Sequence, residues 1–217
     1  MAKRKIIPKD PRLHKNYFVV DANFLAFVAI PRKSKRHKFI ATPENEKERA
    51  ARCIKWWQEI KRQLKEGKAK VYIPDICIAE AFKVLAKWYY KKKWFPDAES
   101  HNRARKRLRS FVAISHEEMA KATRTVGVHD VPTNRDIVIA VDRFFEIVFK
   151  QRYNVQIPDL ILLATAKYLI DYYDIPREHL YILTCDKGLM EVTRAIKDIP
   201  TAIDPTDPRY EASKTFK

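Results

Sequence analysis

The sequence predicts an α/β fold in which a central parallel sheet of four or five strands is flanked by helices. Short apolar runs alternate with longer amphipathic stretches, the pattern of parallel strands joined by helices. With 217 residues, the chain fits one rather large domain. It contains only three glycines, so it has neither a Walker A loop nor a GxGxxG turn. Nucleotide-cofactor enzymes of those two kinds are therefore disfavoured.

Strands are predicted where apolar residues cluster in short runs bounded by turn residues. These predicted strands are 17–20, 70–73, 111–115, 180–184 and a weak fifth at 201–203. The predicted helices are 43–65, 75–91, 98–108, 116–126, 134–153, 159–174 and 187–197. Thr133 and Asp136 are predicted to form a capping box for the fifth helix, and Asp75 to cap the second.

The chain divides into a basic N-terminal arm at 1–16, a single domain at 17–204 and a loose tail at 205–217. Within the domain, the stretches at about 31–68 and 91–110 are predicted insertions. No apolar run approaches the roughly 20 residues of a membrane helix, so we expect no membrane association and a cytoplasmic location.

Two further features fit a cytosolic protein. Asp21 and Asn23 interrupt the apolar stretch near the N-terminus, which argues against an export signal. Cys53, Cys77 and Cys185 are far apart in the chain, with no CxxC pair and no His at zinc-ligand spacing. Reduced, buried thiols are therefore expected.

The whole chain has a formal net charge of +17. The positive charge is concentrated in its first half. Residues 1–110 contain 30 Lys and Arg against 11 Asp and Glu, whereas the remainder contains 14 against 16. The basic runs are 31–38, 61–70, 91–93 and 103–109. The aromatic residues among or beside them are Trp56, Trp57, Trp88, Tyr89, Tyr90, Trp94 and Phe95.

Basic runs interleaved with aromatic residues suit single-stranded or looped RNA, whose bases can stack. The alternative is that the lysines form solvated helix faces and most of the aromatics lie in the core. The net charge of the first half exceeds what solubility requires, which favours a nucleic acid partner. The candidate RNA-binding residues are Arg32, Lys33, Lys35, Arg36, Lys38, Lys91, Lys92, Lys93, Arg103, Arg105, Lys106 and Arg107.

Four acidic residues are predicted at one edge of the sheet. Ligands of open α/β sheets bind beyond the carboxyl ends of the strands. Asp21 directly follows the run YFVV, and Asp186 follows YILTC. Glu80 is the lone acid in the apolar stretch ICIAEAF, and Asp159 opens the helix that begins PDLILLATA. Carboxylates this close together must protonate or bind cations.

Each acid also has a structural alternative. Asp159 could only cap its helix, where a carboxylate meets free N–H groups. Asp21 could be a turn residue, although its apolar surroundings provide no compensating charge. Glu80 could pair with Lys83 or Lys87 on its own helix, but its apolar neighbours instead predict a nearly buried carboxylate.

Together these motifs resemble the PIN domain, in the order found in toxin-type PIN nucleases. The resemblance spans residues 17–203 and rests on YFVVDAN, Glu80 in its apolar helix, PDLILLATA and LTCDK. Residues 111–123 are similar to the middle strand and following helix of that family. The resemblance implies a PIN-like three-layer fold. It also implies that the metal-binding acids are Asp21, Glu80, Asp159 and Asp186, with Asn23 and Thr184 as supporting polar residues.

By the same resemblance, the expected activity is an endoribonuclease that hydrolyses single-stranded or structured RNA with Mg²⁺ or Mn²⁺, which carboxylate ligands suit. An antitoxin protein and a homodimer are the partners that it implies. An inactive PIN-like RNA-binding protein and a DNA-directed nuclease with the same site stay open as alternatives. A haloacid dehalogenase-type phosphohydrolase is disfavoured, because Asn23 stands where that class needs a second acid.

Overall fold

Four short segments form a parallel sheet in the computed structural model, which describes residues 15–30, 43–112 and 128–211. The strands are β1 (Asn16–Val20), β2 (Ala69–Pro74), β3 (Val128–Val131) and β4 (Leu180–Leu183). Their order across the sheet is β3-β2-β1-β4, and every neighbouring pair is parallel. The predicted fold class, a central parallel sheet flanked by helices, is confirmed.

Helices connect the strands in the described part of the chain. They are α1 (Ala22–Ala29), α2 (Glu44–Lys65), α3 (Asp75–Tyr90), α4 (Ala98–Val112), α5 (Arg135–Gln151), α6 (Ile157–Tyr173) and α7 (Lys187–Ala195), with a 3₁₀ turn at Arg177–His179. All five residues of β1 are buried, so helices cover both faces of this central strand.

Much of the core comes from α2 and from aromatic residues near the basic runs. The predicted insertion at 31–68 contains α2, whose apolar face buries Trp56, Trp57 and Ile60. Trp88 and Trp94 are also buried, with ring centroids 4.8 Å apart. Most of these aromatics therefore belong to the core, as in the alternative in which they serve packing rather than a nucleic acid.

The first two residues of the predicted strand at 111–115 are helical, because they continue α4. The Phe111 ring packs 5.4 Å from that of Trp57, which favours continuing the helix. The third strand among the described residues is β3, whose sequence VHDV is too polar to be recognised from an apolar pattern. The rest of the predicted strand and the predicted helix at 116–126 lie outside the described residues.

The short helix α1 was not predicted, because its residues show no amphipathic period. Seven of its eight residues are buried, so no polar face marks it as a helix. The weak strand predicted at 201–203 is reduced to a single bridge between Ile203 and Leu183. Among the described residues, no helix is both long and apolar enough to cross a membrane.

Two predicted helix caps are wrong. Asn134 is the cap of α5 and accepts a hydrogen bond from Ile137 N–H at 2.9 Å, in place of the box predicted for Thr133 and Asp136. Asp75 is the first helical residue of α3 rather than its cap. The other predicted helices within the described residues agree with the structure to within a few residues at their ends.

The three cysteines are free and buried, as predicted. The thiols of Cys53 and Cys185 approach to 3.7 Å. A contact with Cys53, together with burial, raises the pKa of the Cys185 thiol well above its ordinary value. The Cys185 thiol is therefore kept protonated at neutral pH.

The burial of α2 can be tested with the substitution Ile60→Ala. Ile60 is fully buried, so removing its side chain should lower the free energy of unfolding by about 2–5 kcal/mol. Lys55→Ala on the exposed face of the same helix should change it by no more than about 0.5 kcal/mol. Urea unfolding measures both, and equal small effects would show that α2 does not belong to the core.

Candidate metal centre

Asp21 lies at the carboxyl end of the central strand. It follows Val20 directly and is the N-cap of α1. Its Oδ1 accepts a hydrogen bond from Ala22 N–H at 2.6 Å, and its Oδ2 accepts a longer one from Asn23 N–H at 3.4 Å. Its own N–H donates to Leu183 O at 2.9 Å, which ties it to the neighbouring strand. The residue is only 5% exposed, so its carboxyl group is held inside the protein.

Thr184 connects Asp21 to the end of the adjacent strand β4. Its hydroxyl donates to Asp21 Oδ2 at 3.0 Å and accepts from Asp186 N–H, also at 3.0 Å. Thr184 is fully buried. Because one hydroxyl contacts both segments, it fixes Asp21 relative to the turn that carries Asp186.

Asp186 and Asp159 each stand at the start of a helix. Asp186 is the N-cap of α7, and its Oδ1 accepts from Leu189 N–H at 3.0 Å. Asp159 lies in the first turn of α6, and its Oδ2 accepts from Gln156 N–H at 2.9 Å. Both are partly exposed. Asp159 therefore makes the capping contact of the structural alternative. Its negative charge also acts on Asp21.

The four acids act on one another electrostatically. Burial, followed by the nearby carboxylate of Asp159, raises the pKa of Asp21 to about 7, although the Thr184 hydroxyl and two backbone N–H groups oppose this. Burial also raises the pKa of Asp159 to about 6, with further contributions from Asp186 and Glu80. The fold therefore brings all four predicted acids into one region of negative potential.

Glu80 differs from the prediction. It was expected to be nearly buried, but its side chain is 24% exposed and forms an ion pair with Lys83, Oε1 to Nζ 2.8 Å. The two residues are three positions apart on α3 and share the same helix face. The alternative that pairs Glu80 with its own helix is thus the one that the structure shows, although the charge of Glu80 still acts on Asp159.

Two residues near the acids were missed by the sequence analysis. Cys77 is buried, and its pKa is raised by burial and then by the carboxylates, with Asp21 the largest of these. Arg49 on α2 donates to the carbonyl of Cys185 at 3.4 Å and pairs with Glu46 at 3.3 Å. Neither could have been identified from local sequence, because both reach the site only through helix packing.

The donor set fits a hard divalent cation in chemistry but not in side-chain arrangement. Asp21 has no ion pair with any described residue, and carboxylate oxygens suit Mg²⁺ and Mn²⁺. Among residues 15–30, 43–112 and 128–211, however, no three His, Cys, Asp or Glu side chains form a ligand cluster. Glu80, Asp159 and Asp186 each contact a donor close by in the sequence, and their side chains do not converge on one point.

The predicted RNA-binding residues are only partly described. Arg32, Lys33, Lys35, Arg36 and Lys38 lie outside the described residues. Lys91, Lys92 and Lys93 are exposed after α3, and Arg105 and Lys106 are exposed on α4. Arg103 pairs with Glu99 at 3.7 Å. Arg107 donates to Ile30 O at 3.0 Å and lies over the Phe111 ring, so it also has a structural role.

Comparisons with solved structures find similar overall shapes at low sequence identity. VapBC2 from Rickettsia felis, solved bound to a DNA fragment from their promoter, aligns over 87% of this chain and 98% of its own, with 10% identity and a TM-score of 0.48. FitAcB from Neisseria gonorrhoeae aligns over 87% of this chain and 97% of its own, with 15% identity and a TM-score of 0.48. No protein-family model and no curated protein matches the sequence.

The raised pKa of Asp21 predicts how stability without metal depends on pH. The folded state binds this proton more tightly than the unfolded state does, so the contribution of Asp21 to stability is greatest below about pH 4 and is lost as pH rises to about 7. The loss is roughly 4 kcal/mol at most. Asp21→Asn removes it, so the melting temperature of the variant relative to wild type in EDTA should increase between these pH values.

Thermal unfolding in EDTA at several pH values measures this difference. Asp171→Asn, which alters an exposed acid paired with Lys167, is the matched control and should show no such trend. A difference in melting temperature between Asp21→Asn and wild type that stays constant across the pH range would contradict the raised pKa of Asp21.

Proposed function

We propose that this chain is a metal-dependent endoribonuclease whose site is built from Asp21, Glu80, Asp159 and Asp186 with Mg²⁺ or Mn²⁺. The observation that carries the proposal is the buried carboxyl group of Asp21, repelled by Asp159 and without a cationic partner among the described residues. Ionising such a group inside a protein is unfavourable unless a positive charge is added. A divalent cation is the natural source of that charge.

The residues of the chain would divide the work. Asp21 is held by Thr184 and two backbone N–H groups, so it would anchor the cation with little loss of side-chain freedom. Asp159 and Asp186 each keep one carboxylate oxygen outside the hydrogen bonds described above and would complete the coordination. Glu80 would ligate directly or orient a water. A bound cation would supply Lewis acidity toward the attacking water and the leaving oxygen.

Charge supports RNA as the substrate class. The chain has a net charge of +17, and exposed basic residues follow α3 and line α4. A polyanion gains affinity from such a surface through released counterions, and this affinity falls with added salt. The exposed ring of Tyr90 nearby can stack on an unpaired base, which favours single-stranded RNA over a duplex.

The direct test is cleavage of labelled single-stranded RNA with Mn²⁺. Wild type should cleave with Mn²⁺ and stop in EDTA. Asp21→Asn and Asp186→Asn should each lower the rate by at least about 100-fold. Loss of a metal ligand should reduce activity more than loss of a residue that only hydrogen-bonds to a ligand, which typically reduces it by roughly 10–100-fold. Glu80→Gln should have a smaller effect, since Glu80 already has a partner in Lys83.

Asp171→Asn is the control for this experiment as well, since it removes an acid from the same helix as Asp159 without approaching the site. Undiminished cleavage by both Asp21→Asn and Asp186→Asn would overturn the proposal. Tight RNA binding by wild type without any metal-dependent cleavage would instead indicate an RNA-binding protein.

Thr184→Val should reveal the positioning role of this hydroxyl. The valine retains the volume but loses the bonds to Asp21 and Asp186, and we expect the rate to fall about 10–100-fold. Because the Thr184 hydroxyl lowers the pKa of Asp21, its removal should also move the acidic limb of the pH–rate profile to higher pH. Thr184→Ser, which keeps the hydroxyl, should restore both properties. A lower rate with an unchanged profile would show that the hydroxyl does not act through Asp21.

A further inference from the structure

A cavity between α3 and α4 is not used by the proposed metal centre. Its volume is about 430 Å³. It is lined by Phe82, Ala86 and Tyr90 of α3 and by His101, Arg105 and Arg109 of α4. Apolar and aromatic groups therefore form one wall, and two arginines belong to the other.

The aromatic wall is already ordered. Tyr89 stacks on His101 with ring centroids 4.6 Å apart and an interplanar angle of 6°. Tyr90 packs edge-on against Tyr89 at 4.7 Å, which fixes the orientation of its ring. Yet Tyr90 remains 65% exposed. A large ring held in place but open to solvent is suited to stacking with an incoming planar group.

The polar wall has unused hydrogen-bonding capacity. Arg105 and Arg109 are exposed, and neither forms an ion pair with a described residue, whereas Arg103 pairs with Glu99. His101 is buried, and its Nε2 has no hydrogen-bond partner among the described residues. Two guanidinium groups beside an aromatic platform match a phosphate next to a base.

The position of the cavity relates it to the acids. Ala86 and Tyr90 lie six and ten residues beyond Glu80 on α3, or about 9 and 15 Å along the helix axis. At about 100° per residue, the exposed Lys83 and Lys87 fall on the helix surface between Glu80 and the wall of the cavity. A basic strip therefore connects the two places.

We propose that this cavity is a nucleotide-binding subsite for single-stranded RNA, in which an unpaired base stacks on Tyr90 and the adjacent phosphates contact Arg105 and Arg109. The assignment to RNA rests on the proposed function. An RNA chain that crosses Lys83 and Lys87 would place one nucleotide in the subsite and a neighbouring part of the same RNA at the acidic residues of the metal centre. Paired bases cannot stack in the cavity, so the subsite selects unpaired RNA.

Binding of labelled RNA by the full chain in EDTA tests the subsite, with affinity read from fluorescence anisotropy. Tyr90→Ala should weaken binding of a mixed-sequence single-stranded RNA about tenfold, because one stacking contact is lost. Tyr90→Phe keeps the ring and should bind as wild type does. Arg105→Gln and Arg109→Gln should each reduce the slope of log affinity against log salt by about 0.7.

Tyr172→Ala is the matched control, because Tyr172 is 68% exposed on α6 and should not affect binding. Double-stranded RNA of the same sequence should bind Tyr90→Ala and wild type equally. The subsite is overturned if Tyr90→Ala binds single-stranded RNA as wild type does, or if it weakens duplex binding equally. A loss confined to single-stranded DNA would overturn the assignment to RNA.

The binding assay and the cleavage assay can fail separately. Binding is measured without metal and does not depend on turnover, whereas the Mn²⁺ assay with Asp21→Asn and Asp186→Asn decides the nuclease activity. If wild type cleaves RNA and Tyr90→Ala binds it as wild type does, only the subsite proposal is refuted. If wild type does not cleave RNA and Tyr90→Ala binds it more weakly, only the nuclease proposal is refuted.

Discussion

The buried carboxyl group of Asp21 is the constraint on which the candidate site depends. It ends the central strand β1, which has β2 on one side and β4 on the other, so solvent reaches it poorly. The Thr184 hydroxyl and two backbone N–H groups stabilise its charged form, yet burial and Asp159 outweigh them and leave its pKa near 7. The fold thus maintains a carboxyl group whose pKa is raised toward neutral pH and whose charged form a bound cation would stabilise.

The helix α4 relates this negative region to the positive charge of the chain. Ala104 and Leu108 are buried against the core, while Arg105, Lys106 and Arg109 on the opposite face are exposed. The same helix therefore contributes to stability through one face and to the charged surface through the other. Since α4 packs on α3, which carries Glu80, the basic surface is fixed relative to the acids rather than displayed on a separate arm.

Sequence patterns predicted the parts of the structure that depend on local context. Asp21 and Asp186 were singled out because the first directly follows an apolar strand and the second comes shortly after another, and in a parallel sheet such positions meet at one edge. The strand β3 was missed because its partly exposed sequence VHDV lacks an apolar pattern. Glu80 was placed too deep, because apolar neighbours on a helix say nothing about which way one side chain turns. Arg49 depends on packing between α2 and the turn after β4, which no local pattern records.

Glu80, Asp159 and Asp186 could share a cation despite the partners that they have at present. The pair between Glu80 and the exposed Lys83 contributes little to stability, so it can open at little cost. The hydrogen bonds of Asp159 and Asp186 each use one carboxylate oxygen, and a carboxylate can accept at both. Retaining those bonds would orient the second oxygen of each group. The separate side chains seen here are therefore compatible with a site that closes when a cation binds, because a cation would offset the burial and the repulsion that now raise the pKa of Asp21 and Asp159.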